Sequence, residues 1–105
     1  MKFEWDEDKN ETNIRDRGID FADAREMFEN PMLIKADDRK DYGETRYIDL
    51  SHIQGRLMVV VFTEREPDII RIISLRKVNK REQARFEKAI ADRLGAHRRD
   101  EGRGY

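Results

Sequence analysis

The chain has 105 residues, enough for one domain around a single modest core. Charged side chains make up 43% of it and hydrophobic ones 37%, so the core must be small and the surface densely ionic. The absence of cysteine excludes disulfides, thiolate catalysis and Cys-based zinc sites. The longest uncharged apolar run covers only residues 57–63, far short of the about twenty a membrane helix needs. Polar and charged residues fill the first twenty positions, so no signal peptide is expected. A soluble cytoplasmic protein without a membrane contact is expected.

Phe3 and Trp5, two apart, predict a short opening strand. Asp6 opens a helix, its carboxylate placed to accept from first-turn N–H groups, and Gly18 ends that helix in a left-handed cap. This helix has few apolar residues and is expected on the surface. Asp20, with Asp23 in the box position, starts a second short helix that Asn30-Pro31 ends. Residues 32–36 are a weak strand candidate, and 46–52 a stronger one. Residues 57–63 suit a central strand buried on both faces. Gln54-Gly55 and Glu66-Pro67-Asp68 supply the turns of an antiparallel meander that continues through 69–75. Asn79 and Glu82 box the start of a last helix, with a stripe of Phe86, Ala89, Ile90 and Leu94 and a stop at Gly95. The expectation is an α+β domain over 1–95, with an antiparallel sheet of about four strands, two N-terminal helices and one C-terminal helix. Residues 96–105 are expected to form a mobile polar tail.

Charge is unevenly spread. Residues 1–30 carry five basic and ten acidic side chains, whereas 71–85 carry six basic ones against Glu82 alone. A local cationic cluster on an acidic chain points to a focused anion site rather than to nonspecific nucleic-acid binding. Metal-ligand spacing, a phosphate-binding glycine loop and a nucleophile elbow do not occur in the sequence. Asp37 and Asp38 read as solvated turn carboxylates.

The remaining chemistry lies in arginines at strand ends: Arg46, Arg65, Arg71 and Arg76, with Lys77 beside the last. Alternation puts Ile72, Ser74 and Arg76 on one face, with Ile70 and Ile72 packed under the helix and Arg76 emerging beside the start of the last one. A guanidinium fork matches phosphate oxygens and stays charged at working pH. Each arginine could instead pair with a nearby acid such as Glu44, Glu64 or Glu66, and Arg71 could pair across the sheet.

Several stretches together resemble the BrnT toxins: Phe3-x-Trp5-Asp6-x-x-Lys9-x-x-x-Asn13, Gly18-x-x-Phe21-x-x-Ala24 with Phe28 and Pro31, Gly43-Glu44-x-Arg46, Gly55-Arg56-Leu57 through Val61, Thr63-x-Arg65 and Arg71-Ile72-Ile73-Ser74-x-Arg76-Lys77, closed by Glu82 and Phe86. The resemblance spans residues 3 to about 90. It implies a RelE-like fold and a metal-independent, cofactor-free endoribonuclease of a type II toxin–antitoxin system. It also implies a BrnA-like antitoxin with a ribbon-helix-helix domain, contact with operator DNA only through that antitoxin, and a possible heterotetramer. The family's Lys-His-Gly is Asp16-Arg17-Gly18 here, so a group able to exchange protons near neutrality is lost. Leu75 also replaces a small residue.

RNA carries its own nucleophile, the 2′-hydroxyl, so alignment and fixed donors can supply most of the acceleration. On this reading Arg65 and Arg76 hold the scissile phosphate and Glu64 or Lys77 handles protons, with Tyr47 and His52 as further base candidates. Arg46, Arg71, Tyr47, Lys80 and Arg81 contact the rest of the RNA. The alternative is a catalytically impaired RNA-binding or antitoxin-binding corepressor.

Overall fold

The computed structural model describes residues 1–30, 33–37 and 41–102, with side chains given for all of these except 33 and 94–102. Strand β1 covers Lys2–Trp5 and helix α1 Glu7–Arg17. Asp6 caps α1 by accepting from the Asp8 and Lys9 N–H groups, and Gly18 closes it at φ +69°. Asn10 is the one buried residue of α1. Apolar packing therefore does little to hold this helix; asparagines do it instead. Asn10 donates to the Asp20 carboxylate at 3.0 Å and accepts from the Phe21 N–H at 2.8 Å. Asn13 donates to the carbonyls of Ile19 and Leu75 at 2.9 and 3.1 Å.

The segment after Gly18 is tighter than a single helix from Asp20 to Asn30. A 3₁₀ turn at Phe21–Asp23 leads into a one-turn helix α2 at Ala24–Met27. Asp20 accepts from the Ala22 N–H as well as from Asn10, and these bonds hold its carboxyl below the usual carboxylate range.

The strands β2 (Leu33–Asp37), β3 (Arg46–Ile53), β4 (Arg56–Glu66) and β5 (Ile69–Lys77) follow. They form one sheet with β1 in the order β1-β5-β4-β3-β2. The sheet thus has five strands, not about four. It is antiparallel except at one edge, where β1 lies parallel to β5 with Phe3 opposite Ile70 and Trp5 opposite Ile72. Strand β4 is the middle strand, as its continuous apolar run requires, and Met58 through Thr63 are all buried. Gln54 and Gly55 both take positive φ in the β3–β4 turn, the twist that a two-residue hairpin needs.

A bulge in β5 decides which side chains share a face. Val61 is paired with Ser74 but Phe62 with Ile72, so one residue of β5 is extra at that point. Ile70, Ile72 and Leu75 consequently pack on the same core as Phe21, Ala24 and Met27. Arg76 is paired with Val59, which belongs to the opposite core with Leu50 and Phe86. The expected common face for Ile72, Ser74 and Arg76 is therefore broken. Ile70 and Ile72 lie under the 3₁₀ turn and α2. Trp5 and Phe3 pack against this same core.

Helix α3 spans Lys80–Gly102 and covers the second face through Phe86 and Ile90. Asn79 and Glu82 form the reciprocal box: the Glu82 N–H donates to Asn79 Oδ1 at 2.8 Å, and the Asn79 N–H donates to Glu82 Oε1 at 2.9 Å. The helix runs through Gly95 instead of ending there. An interior glycine costs only about 1 kcal/mol relative to alanine, too little to stop a helix flanked by good formers. Of the tail expected over 96–105, residues 96–102 continue α3, and 103–105 lie outside the described residues.

Candidate nucleic-acid interface

The sheet register settles where the arginines stand. Thr63 of β4 faces Arg71 of β5, and Arg71 faces Glu4 of β1. Arg46 begins β3 one residue before the Tyr47–Phe62 pair, which puts it level with Thr63. Arg46, Thr63, Arg71 and Glu4 thus form one row across the sheet. Each arginine of that row holds an acid: Arg46 bonds Glu44 at 3.1 Å and Arg71 bonds Glu4. Arg46 also lies 4.0 Å over the Tyr42 ring, a cation–π contact.

Just beyond this row β4 outruns β3, and a hollow of about 460 Å³ opens there. Glu44, Thr45, Tyr47, Thr63, Glu64 and Arg65 line it. The Thr63 hydroxyl donates to the Thr45 carbonyl at 2.7 Å and fixes the floor. Tyr47 stacks on Phe62 with ring centroids 5.4 Å apart. Glu64 and Arg65 are exposed, and among the described residues neither has an ion-pair partner.

Arg76 is elsewhere. Its partner across the strands, Val59, is six residues along β4 from Arg65, or about 20 Å at strand rise. One phosphate cannot take both guanidinium groups in this conformation, so Arg65 and Arg76 are not brought together. Arg76 instead makes a two-pronged pair with Glu82, both bonds at 2.8 Å. That guanidinium and the Asn79 N–H hold the Glu82 carboxyl down to about 2. Lys77 is exposed at the end of β5, and Lys80 and Arg81 are exposed on the first turn of α3. These three form a basic end of the sheet with Arg56, a residue that sequence reasoning left without a role. The Gln54-Gly55 turn was the available signal, since it folds Arg56 back opposite Ile53 and beside His52. His52 meets the Phe86 ring edge-on at 5.5 Å, at this same end of the sheet and away from Glu64.

Arg17 lines a separate hollow between α1 and β5 with Lys9, Asp16 and Ser74. Asp37 departs from its expected solvation: it is 6% exposed and accepts from the Tyr42 hydroxyl at 3.2 Å. Asp38 lies outside the described residues. Asp49, central in β3, is fully buried, and neither carboxylate oxygen has a hydrogen-bond partner among the described residues. Burial pushes its carboxyl up to about 7. Among the described residues no helix is long and apolar enough to cross a membrane, and no cluster of three or more His, Asp or Glu is placed to hold a metal ion.

A family model described as "Ribonuclease toxin, BrnT, of type II toxin-antitoxin system" matches residues 5–82. The crystal structure of the Brucella abortus ribonuclease toxin BrnT is similar at a TM-score of 0.59 and 30% identity, over 76% of this chain and 99% of that one. No curated protein matches the chain. The family match takes in β2 to β5, both the Arg46–Arg71 row and the Arg65 hollow, and stops at the glutamate that grips Arg76. This chain therefore belongs to the BrnT family, the ribonuclease toxins of type II toxin–antitoxin systems.

Proposed function

We propose that the chain is a metal-independent endoribonuclease acting in the cytoplasm, and that the hollow holding Glu64 and Arg65 is where it cuts. The observation that carries this is a hollow whose lining holds an acid and a guanidinium, neither with an ion-pair partner among the described residues, together with the hydroxyl-bearing Thr45, Tyr47 and Thr63. Glu64 takes the proton from the 2′-hydroxyl as that oxygen forms its bond to phosphorus. The bond from phosphorus to the 5′-oxygen breaks, the leaving oxygen takes a proton from water, and the hydroxide left behind recovers the proton held by Glu64. The products are a 2′,3′-cyclic phosphate and a 5′-hydroxyl. Arg65 stabilises the charge gathered on the phosphorane oxygens, a role in which fixed donors contribute most. Arg46 and Arg71 hold neighbouring phosphates after releasing Glu44 and Glu4, with Tyr47 at the mouth. Arg76 and Lys77 shift from the scissile phosphate to the flanking RNA, together with Lys80 and Arg81.

The partner is a BrnA-like ribbon-helix-helix antitoxin, which alone contacts operator DNA, in a heterotetramer built on a RelE-like toxin body. Incubating the purified chain with RNA and EDTA tests the chemistry. Cleavage that survives chelation, fails on 2′-O-methyl RNA and leaves cyclic phosphate ends is the expected result. Cleavage abolished by EDTA would overturn the proposal.

A second reading is favoured by the acids on Arg46, Arg71 and Arg76 and by Arg17 in place of the histidine. On it the chain is a corepressor that binds RNA or antitoxin without cutting. Expression without a partner separates the two: growth arrest belongs to the nuclease and harmless accumulation to the corepressor.

A further inference from the structure

The second face of the sheet carries a groove of about 690 Å³ between α3 and the β3–β4 hairpin. Leu57, Val78, Phe86 and Ile90 make its apolar floor. Arg56 and Lys77 stand on the hairpin side, exposed and without ion pairs among the described residues. The α3 wall contributes Gln83 and Glu87, which bond each other at 3.0 Å, and exposed Ala91. These wall positions repeat at the spacing of one helix face.

We infer that this groove receives an acidic amphipathic helix of the protein antitoxin. An apolar floor beside two unpaired cations matches a helix with aliphatic residues on one face and carboxylates along one flank. Among the described residues the one acid of the rim, Glu87, accepts from Gln83 and opposes such a flank only weakly. The α3 wall begins where the family match ends, at residue 82, so half of the groove is built from sequence outside that match. Such a wall sets which antitoxin this toxin accepts. The inference rests on the type II family assignment and not on the roles given to Glu64 and Arg65.

Position gives the consequence. Leu57 and Glu64 are seven residues apart on β4, about 23 Å. A helix in the groove covers the basic end of the sheet and leaves the Arg65 hollow open. It blocks RNA that must run along Lys77, Lys80 and Arg81, and it spares a dinucleotide.

The test uses a fluorescein-labelled three-heptad peptide with leucines on one face and glutamates elsewhere, titrated into the full chain and read by anisotropy. Saturable binding is expected, weakened roughly tenfold or more by Arg56→Glu and by Ala91→Trp, the second of which fills the groove from an exposed position. The same peptide with lysine for glutamate is expected to bind far more weakly. The bound peptide is expected to stop cleavage of long RNA while dinucleotide cleavage continues. Absence of peptide binding, binding indifferent to both substitutions, or displacement of the peptide by an oligouridylate that itself loses affinity in Ala91→Trp would overturn the inference. The last result would make the groove an RNA site. Because anisotropy reads binding without turnover, a chain that never cuts RNA still answers the question.

Discussion

Glu82 holds Arg76 with both carboxylate oxygens while also capping the helix it belongs to. One carboxylate thereby fixes the last strand to the last helix. Its low pKa makes it a stabilising group above the ordinary carboxylate value of 4.5, and that contribution is lost as pH falls toward about 2. Glu82→Gln should cost about 1–3 kcal/mol at neutral pH. In denaturant titrations it should also flatten the loss of stability between these two pH values.

Asp49 has the opposite sign. Its carboxyl keeps its proton in the folded chain up to about 7, whereas the unfolded chain releases it near 3.8. Stability should therefore fall as pH rises from about 4 to about 7 and level off beyond. Asp49→Asn removes the ionisable group without changing the shape. It should be more stable than the parent at pH 8 by about 4 kcal/mol, with little difference at pH 4. Thermal or urea unfolding at the two pH values checks this.

Arg65→Ala should lower RNA cleavage by about 10²–10³ with no loss of stability, because the side chain is exposed and has no ion-pair partner among the described residues. Single-turnover cleavage together with a melting curve separates these effects. Arg46→Ala should do both kinds of damage, since it also strips the cation from Glu44 and from the Tyr42 ring.

Asn10→Ala should destabilise the chain by about 1–3 kcal/mol. It leaves the buried Phe21 N–H without its acceptor and removes the donor that holds Asp20. The change should show as a lower midpoint in urea with an unaltered slope.

What could be read from the residues follows a physical boundary. Local signals were legible: the caps at Asp6, Gly18 and Asn79, the Gln54-Gly55 turn and the buried strand through Val59–Val61 each depend on neighbours in sequence. Pairing between distant stretches was not. Nothing within Phe3–Trp5 says that it will lie parallel to Ile70–Ile72. The run Ile69–Ile73 is apolar except at Arg71, so its periodicity could not announce the bulge that turns Arg76 to the other face. The expected meeting of Arg65 with Arg76 failed for a different reason: in an antiparallel β4–β5 pair the end of one strand lies opposite the start of the other, so the two arginines stand at opposite ends of the sheet. The acids that occupy Arg46, Arg71 and Arg76 were foreseeable as a class, and Glu44 was foreseen by name. Glu4 and Glu82 came from a strand pairing and a helix cap whose reach into the arginines the sequence leaves unstated.

The edge strand that enters the sheet first in sequence is completed by almost the last. Residues 2–5 can find their hydrogen-bond partners only after residues 69–72 have been synthesised. A ribosome translating this message thus carries an unfinished product for most of the elongation cycle, and a transcript cut short anywhere before β5 yields a polypeptide with an unpaired margin and no Arg71. Late closure of this kind means that the row from Arg46 to Glu4 is complete only after residue 71 of 105 has been added.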